Sequence, residues 1–251
     1  MGRGKVFLVG AGPGDQGLLT IKAVELLRKA DMVIYDRLVS KSILELAPKR
    51  AKKIYVGKSS VKHELPQEKI NELMINTALD GKKVVRLKGG DPFLFGRGGE
   101  EAEALADNHI DFEVVPGVTS ALVAPAYAGI PLTHRDYSSS VAIVTGHRAK
   151  NAETVVNWSK LAGSVDTIVI LMGVESLEST ANKLMEGGLD PNTPVAIIEW
   201  GTLKRQRILI GKLGTIAKEA KERNVKPPAV IVIGEVVNLR RKLSWFKTSL
   251  R

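Results

Sequence analysis

The first half of the chain alternates short apolar runs with longer segments whose apolar residues recur at helical spacing. Such alternation is typical of strands that each lead into a helix. The runs predicted as strands are 5–9, 32–35, 53–56, 84–87 and 112–115. The segments predicted as helices are 18–29, 42–46, 67–79, 99–106 and 120–128.

The second half repeats this pattern after a stretch, 128–140, that holds Gly129, Pro131 and several hydroxyl residues. We interpret that stretch as the connection between two domains, 1–128 and 129–251. The predicted strands are 141–145, 167–171, 195–199, 207–210 and 230–233, and the predicted helices are 154–161, 177–186 and 213–223. A short polar turn separates 195–199 from 207–210, which predicts a β-hairpin and therefore a mixed second sheet.

Repeated strand–helix alternation predicts an α/β fold whose first sheet is parallel and covered on both faces. Ligands of such sheets bind at the carboxyl ends of the strands. Four polar segments are expected at that edge: 10–17, Asp36, Lys58 and 88–97.

Composition excludes some classes of function. The 251 residues are 44% hydrophobic and contain no cysteine, which rules out disulfides, thiolate metal sites and a cysteine nucleophile. No apolar run approaches the roughly 20 residues that span a bilayer. The first predicted strand follows the N-terminus so directly that no signal peptide is expected, which favours a cytoplasmic location.

The net charge of +10 predicts an anionic partner. Nucleic acid, an acidic membrane surface and a polycarboxylate substrate would each be attracted to such a surface. Five Phe, four Tyr and three Trp leave few rings on which bases could stack. The charge therefore favours an acidic ligand without identifying it.

The glycine-rich loop after the first strand, GAGPGDQG at 10–17, resembles a dinucleotide-binding turn but departs from it. The fingerprint G-x-G-x-x-G requires glycine where this chain has Asp15. Pro13 has no N–H to offer a pyrophosphate, and a carboxylate in the loop would repel phosphate. The loop suits a ligand without phosphate, such as S-adenosylmethionine. Alternatively, it is a turn with only a structural role.

The segment 84–103, VVRLKGGDPFLFGRGGEEAE, is the part of the chain richest in candidate functional residues. Gly89 and Gly90 allow close approach to a ligand, and Arg97 and Glu100 stand where the next helix should begin. The alternative is a tight turn with solvated charges. Asp36 also has several interpretations: a ribose contact, an acid–base group, or an exposed carboxylate.

Taken together, the motifs resemble those of the uroporphyrinogen-III C-methyltransferases of the tetrapyrrole methylase superfamily. In chain order they are GAGPGD at 10–15, LLTIKA at 18–23, YDRLVS at 35–40, VGK at 56–58, PQEKIN at 66–71, RLKGGDPFLFGRGGEEAEAL at 86–105, VVPGVTSA at 114–121, YAGIPLTHRDYSSS at 127–140 and VTGH at 144–147. The resemblance extends from residue 5 to residue 237. It implies the class III methyltransferase fold of two α/β domains, with the cofactor in the cleft between them, and a homodimer.

The resemblance implies S-adenosyl-L-methionine as cofactor, with S-adenosyl-L-homocysteine as its product. The cofactor-binding positions that it implies are Pro13, Gly89, Gly90, Asp91, Leu94, Thr119, Ser120, Met172, Gly201 and Ala229. Asp91 would accept hydrogen bonds from the ribose hydroxyls or the ammonium group.

The implied reaction is transfer of two methyl groups to ring carbons of uroporphyrinogen III, giving precorrin-2 without a metal. The implied catalytic residues are Asp36 as proton acceptor, Lys58 as proton donor, Arg97 and Glu100. Arg97 is expected to orient the substrate or bind its carboxylates, because its pKa is too high for a free base. The candidates for binding the substrate carboxylates are Arg37, Arg97, Arg135 and His147.

Other classes of function stay open beside this one. Relatives in the same superfamily methylate later precorrin intermediates or ribosomal RNA. A nicotinamide-dependent oxidoreductase is disfavoured by Pro13 and Asp15, and a non-catalytic module that senses S-adenosylmethionine or binds nucleic acid would need neither Arg97 nor Glu100. The blocks GGDPFLFGRGGEE and GIPLTHRD favour the uroporphyrinogen enzyme, with neither nucleic acid nor membrane as partner.

Overall fold

The computed structural model describes residues 4–57, 65–146 and 156–247. Internal contacts divide the chain into two compact units, Met1–Thr119 and Ser120–Arg251. The helix that follows residue 119 therefore belongs to the second unit, whereas the sequence suggested a boundary after it. Among the described residues, the helices are all too short or too polar to cross a membrane.

The first unit is built on a five-stranded sheet in the order β3-β2-β4-β1-β5, and its strand pairs are all parallel. Its strands are β1 (Lys5–Gly10), β2 (Met32–Tyr35), β3 (Lys52–Tyr55), β4 (Lys83–Lys88) and β5 (Phe112–Val115). Its helices are α1 (Ile21–Arg28), α2 (Lys41–Leu44), α3 (Gln67–Leu79) and α4 (Gly98–Asp107). The predicted parallel sheet is confirmed.

Helices cover both faces of this sheet, because successive residues of a strand point to opposite sides. Leu8 of β1 lies in a buried cluster with Met74 of α3 and Leu105 of α4. Its neighbour Val9 lies in another, with Leu27 of α1. The carboxyl ends of the strands are thereby left as the edge where loops gather.

The second unit contains a mixed five-stranded sheet in the order β6-β7-β10-β8-β9. Its strands are β6 (Val141–Thr145), β7 (Thr167–Leu171), β8 (Pro194–Glu199), β9 (Arg207–Lys212) and β10 (Ala229–Ile233). Its helices are α5 (Ser120–Tyr127), α6 (Trp158–Leu161), α7 (Leu177–Glu186), α8 (Ile216–Glu222) and α9 (Arg240–Leu243). β8 and β9 form the predicted hairpin, and β10 runs antiparallel to both β7 and β8.

This sheet too is buried on both faces. Ile170 of β7 packs in a cluster with Leu184 of α7 and Ile216 of α8. The adjacent Val169 packs against Ala124 of α5 in a second cluster. Because β10 runs against its neighbours, its first residue lies at the same edge of the sheet as the ends of β7 and β8.

Three helices begin later than the apolar pattern predicted, because polar side chains or turns determine where they start. The helix predicted from residue 18 begins at Ile21, where the Thr20 hydroxyl accepts a hydrogen bond from the Ala23 N–H at 3.2 Å. Residues 213–215 form a turn instead of the start of α8. Asn157 caps α6, so residues 156–157 are not helical, and residues 154–155 lie outside the described part.

Candidate functional site

The loops that follow β1 and β4 are joined backbone to backbone at the carboxyl edge of the first sheet. The Gly12 N–H donates to the Gly90 carbonyl at 3.1 Å, and the Gly90 N–H donates to the Gly12 carbonyl at 2.7 Å. Both residues have positive φ, +68° and +69°, a conformation that glycine adopts without the steric cost of a Cβ. The sequences GAGPGD and KGGD therefore meet at the edge of the sheet where both were expected, because β1 and β4 are neighbours in it.

Glycine is also required where the loop after β5 joins them. A Cβ on Gly10 would lie 2.5 Å from the Gly117 backbone, and one on Gly117 would lie 2.3 Å from the Gly90 carbonyl oxygen. A Cβ on Gly90, in contrast, would meet nothing nearer than the Thr119 Cα at 4.0 Å. Gly90 and Thr119, both predicted to bind the cofactor, are thus neighbours across an open space.

The side chain of Asp91 links the loop after β4 to the loop after β5. Its Oδ1 accepts from the Phe93 N–H at 2.8 Å and the Leu94 N–H at 3.1 Å. Its Oδ2 accepts from the Gly117 N–H at 3.0 Å. An ionised carboxylate has about four acceptor sites, so three bonds leave room for one more. The predicted contact of Asp91 with the cofactor stays a prediction, beside a structural role that the sequence did not reveal.

Two other predicted cofactor positions, Pro13 and Leu94, lie half-buried in the same loops. Gly89 serves a packing purpose, because a Cβ there would lie 2.6 Å from the Leu38 Cβ. Glycine at this position lets the loop after β2 pack against the end of β4. The loops after β1, β2, β4 and β5 therefore form one continuous surface in the first unit.

Asp36 lies half-buried directly after β2, at this edge. Its Oδ1 accepts a hydrogen bond from the Leu38 N–H at 3.0 Å, which orients the carboxylate. The neighbouring Arg37, a predicted substrate ligand, is exposed. Lys58, the predicted proton donor, lies outside the described residues.

Arg97 and Glu100 are bound to each other. Arg97 Nε donates to Glu100 Oε1 at 2.9 Å and Arg97 Nη2 donates to Glu100 Oε2 at 2.6 Å, with both side chains more than half exposed. This hydrogen bond is the main cause of a lowered pKa of Glu100, against a smaller opposing effect of desolvation. The sequence predicted both residues as catalytic but not their pairing, which means that an anionic substrate must compete with Glu100 for the guanidinium group.

A buried charged cluster lies behind this surface, and the sequence prediction missed it. Glu101 Oε1 accepts from Arg86 Nε and Lys88 Nζ, both at 2.9 Å, and from Gln67 Nε2 at 3.2 Å. The three charged side chains are at most 5% exposed. In the described part of the chain no group donates to Glu101 Oε2. The signal in the sequence was a pair of cations at alternate positions, Arg86 and Lys88, in the otherwise apolar segment 84–88 of the central strand.

Removing Glu101 from the cluster is expected to destabilise the protein strongly, because Arg86 and Lys88 would be left buried without a counter-charge. We expect Glu101→Leu to lower the free energy of unfolding by about 3–5 kcal/mol, measured by urea denaturation. Glu72→Gln is the control: its exposed pair with Lys69 is expected to contribute about 1 kcal/mol or less. Equal effects of the two substitutions would contradict a structural role for the buried cluster.

In the second unit, three predicted cofactor positions lie at one edge of the sheet. Met172 follows β7, Gly201 follows β8 and Ala229 begins β10. Ala229 pairs with Glu199, the last residue of β8. Met172 is 51% exposed, which argues against a role in the core. A Cβ on Gly201 would lie 2.5 Å from the Cβ of Ala124, so glycine is needed for β8 to end against α5.

Contacts that the sequence did not predict stabilise the loop between β8 and β9, at this edge of the second sheet. Gln206 is buried; its side-chain oxygen accepts from the Thr202 N–H at 2.9 Å and its amide nitrogen donates to the Tyr127 carbonyl at 3.2 Å. Within the described residues, the buried hydroxyl of Thr202 has no hydrogen-bond partner. The Arg205 guanidinium lies 3.5 Å from the centre of the Trp200 ring. No signal in the sequence pointed to these contacts.

Backbone strain is concentrated in the same loops. Of the seven non-glycine residues with positive φ in the described part, His109 and Asn224 follow helices and the other five lie in the site loops. Those five are Phe95, Arg97, Met172, Trp200 and Thr202. The left-handed conformation costs roughly 1–2 kcal/mol per residue, and such strain is found mainly where function requires it. Two of the five, Arg97 and Met172, were predicted as site residues.

The remaining predicted positions fall in the second unit. Ser120 begins α5, and Arg135 is exposed in the loop before β6. His147 lies outside the described residues. Among the residues that the structure describes, no cluster of three or more His, Asp or Glu could hold a metal ion.

Comparison with known proteins is consistent across sequence and structure. A Bacillus subtilis protein named uroporphyrinogen-III C-methyltransferase is 50% identical over 248 residues, covering 99% of this chain and 96% of that protein. A Pseudoalteromonas atlantica siroheme synthase is 51% identical over 98% of this chain and 53% of its own length. The crystal structure of the Thermus thermophilus uroporphyrin-III C-methyl transferase, complexed with S-adenyl homocysteine, superposes with a TM-score of 0.81 at 42% identity, covering 94% of this chain and 99% of that one.

The family described as Tetrapyrrole (Corrin/Porphyrin) Methylases matches residues 5–217. The resemblance predicted from the motifs is therefore confirmed, as is the two-sheet α/β architecture that it implied. On its sequence and its fold, this chain belongs to the tetrapyrrole methylase family.

Proposed function

We propose that this protein is a uroporphyrinogen-III C-methyltransferase that uses S-adenosylmethionine to place two methyl groups on ring carbons, giving precorrin-2. The observation that carries the proposal is the likeness over nearly the whole length, at 50% identity, to a protein with that name. The site agrees with it, since glycine-lined loops, oriented carboxylates and exposed arginines meet at the edge of the first sheet.

The residues present suit a sulfonium nucleoside. Gly90 leaves open space beside Thr119, and Pro13 offers no N–H to a phosphate. Asp91 retains acceptor capacity for one more hydrogen bond. A hydroxyl or amino group of the ligand would use it, whereas a pyrophosphate would be repelled by this carboxylate.

The proposed roles of the residues combine this geometry with what the resemblance implies. When bound, S-adenosylmethionine supplies an activated methyl group, whose bond to sulfur breaks as the bond to the ring carbon forms. Asp36, oriented by the Leu38 N–H, accepts the proton that the methylated ring releases. Lys58 is the proposed proton donor, and the loops hold the substrate in line and exclude water.

The positive charge serves the polycarboxylate substrate in this proposal. Arg37 and Arg135 are exposed, and the guanidinium fork of Arg97 matches a carboxylate. Arg97 already holds Glu100 in that geometry, so we infer that substrate carboxylates displace Glu100 or share the guanidinium with it. His147 is the fourth proposed ligand, and we propose that the protein acts as a homodimer.

The proposal is tested by incubating the purified protein with uroporphyrinogen III and methyl-labelled S-adenosylmethionine. We expect two labelled methyl groups per macrocycle, measured by mass spectrometry of the oxidised product, together with S-adenosylhomocysteine in the same proportion. Parallel reactions with ribosomal RNA and with a later precorrin separate the alternatives. Label in either of these and none in uroporphyrinogen III would overturn the proposal.

A further inference from the structure

The loop after β4 exposes two aromatic rings beside the charged residues of the site. Phe93 is 55% exposed and Phe95 is 41% exposed, which makes them the two most exposed phenylalanines of the chain. Exposure alternates along this loop, since Phe93, Phe95 and Arg97 are exposed and the residues between them are half-buried. A single exposed apolar side chain is ordinary on a protein surface, whereas neighbouring ones mark a place where something binds.

The backbone and the ring of Phe93 are both held in place. Its N–H donates to Asp91 Oδ1 at 2.8 Å. Its ring packs against the first residue of α4, because a Cβ on Gly98 would lie 2.9 Å from Phe93 Cδ1. Arg97 is the N-cap of the same helix. The exposed ring and the exposed guanidinium group therefore belong to one structural unit, the start of α4.

Phe95 is exposed in a strained conformation. Its φ is +52°, and that of Arg97 is +59°, in a region that bulky side chains rarely occupy. Between them the chain folds back on itself, since a Cβ on Gly96 would lie 2.7 Å from the Pro92 carbonyl oxygen. Strain and an exposed ring both lower the stability of the free protein. Costs of this kind are typical of surfaces that a ligand covers.

The loop after β2 presents the same combination of apolar and cationic side chains. Leu38 is 48% exposed, and a Cβ on Gly89 would lie 2.6 Å from its Cβ, so it packs against the end of β4. Arg37, which precedes it, is exposed. Both loops thus place exposed apolar side chains next to an exposed arginine. Such a surface matches a ligand whose centre is an apolar ring system and whose periphery is anionic.

We propose that Phe93 and Phe95 bind the apolar rings of the tetrapyrrole substrate, while Arg97 binds a carboxylate at its periphery. This inference rests on the proposed function and identifies the part of the site that recognises the macrocycle itself. Covering the two side chains removes apolar surface from water. Because Phe93 is already held by Asp91 and Gly98, little conformational entropy is lost when the substrate covers it.

The first test compares Phe93→Ala and Phe95→Ala with Phe112→Ala. Phe112 is also exposed but begins β5, at the amino edge of the sheet. We expect each of the first two variants to raise the KM for uroporphyrinogen III about tenfold. Their kcat and their calorimetric affinity for S-adenosylhomocysteine should change less than about twofold. Phe93→Leu, which stays apolar, should recover part of the loss, and Phe112→Ala should match the wild type.

The second test measures binding without methyl transfer, by fluorescence titration with two porphyrins. Uroporphyrin III and coproporphyrin III share the ring system, but the second carries fewer carboxylates. We expect Phe93→Ala and Phe95→Ala to weaken binding of both porphyrins by the same factor. Arg97→Gln should weaken binding of uroporphyrin III more than that of coproporphyrin III, because it removes a partner of the carboxylates.

These measurements separate the inference from the proposed function. An unchanged KM and unchanged porphyrin affinity in both alanine variants, or losses no larger than those of Phe112→Ala, would overturn the role of the rings. Tighter binding of a single-stranded oligonucleotide than of uroporphyrin III would assign them to base stacking and overturn it as well. A wild type that binds the porphyrins through these rings but transfers no methyl group would refute the function alone. A wild type that does neither would overturn both.

Discussion

Replacing Asp36 by Asn is expected to slow methyl transfer by about 10²–10⁴-fold, the usual contribution of a general base. The amide keeps an oxygen that can accept the Leu38 N–H, so the turn after β2 should persist. What is lost is the group that takes the proton. The measurement is kcat with saturating substrate, combined with calorimetric binding of S-adenosylhomocysteine, whose affinity we expect to change less than about twofold.

The matched control is Asp31→Asn, at the opposite end of the same strand. Asp31 precedes β2, and its carboxylate also accepts a backbone hydrogen bond, from the Lys83 N–H at 2.9 Å. It lies at the amino edge of the parallel sheet, away from the loops of the site, so turnover should be unaffected. If Asp36→Asn retained normal turnover, or lost cofactor affinity and turnover together, Asp36 would not be the proton acceptor.

The second large effect is expected from Gly10→Ala. The added Cβ would lie 2.5 Å from the Gly117 backbone and 2.7 Å from the Gly90 carbonyl oxygen. Neither atom can move without separating the loops after β4 and β5. Overpacking typically costs about 1–3 kcal/mol, and contact with backbone on two sides favours the upper end. That corresponds to a decrease in Tm of roughly 6–12 °C for a protein of this size.

Gly10→Ala should also weaken binding of S-adenosylhomocysteine, since Gly90, which the added Cβ would displace, is a proposed cofactor-binding residue. Gly99→Ala is the control, because a Cβ there would meet nothing within 4 Å and the residue lies in α4. Alanine in a helix is expected to be neutral or to stabilise by up to about 1 kcal/mol. Equal Tm values for the two variants would show that a side chain at position 10 is tolerated where the loops after β1, β4 and β5 meet.

The strands lie close to their predicted positions, because runs of apolar residues determine where strands form. The bounds predicted for 32–35, 112–115, 141–145 and 167–171 are those of the structure. The first residues of the helices were predicted less accurately, since they depend on local hydrogen bonds such as the cap from Thr20. The hairpin of β8 and β9 was predictable from its short connection, whereas the central position of β10, antiparallel to both neighbours, had no local signal.

For the proposed site, the sequence indicated which loops lie at the edge of the first sheet but not how their polar groups pair. Gly90 follows β4 and Thr119 follows β5, and the two residues lie close together although β1 separates these strands in the sheet. In contrast, the pairing of Arg97 with Glu100 and the three backbone bonds to Asp91 depend on loop conformation. Arg97, Glu100 and Asp91, which were predicted for their chemistry, therefore also make structural contacts in the free protein.

What the sequence determined by itself is the alternation of strand and helix, the glycine-rich turns and the family to which the chain belongs. Each of these depends on residues that are close along the chain or on a fixed order of motifs. Only the tertiary structure decided that Lys88 and Arg86 are buried against Glu101, because strand register and helix packing place these side chains on one face. The hydrogen bonds of this buried cluster depend on that packing, which no local pattern encodes.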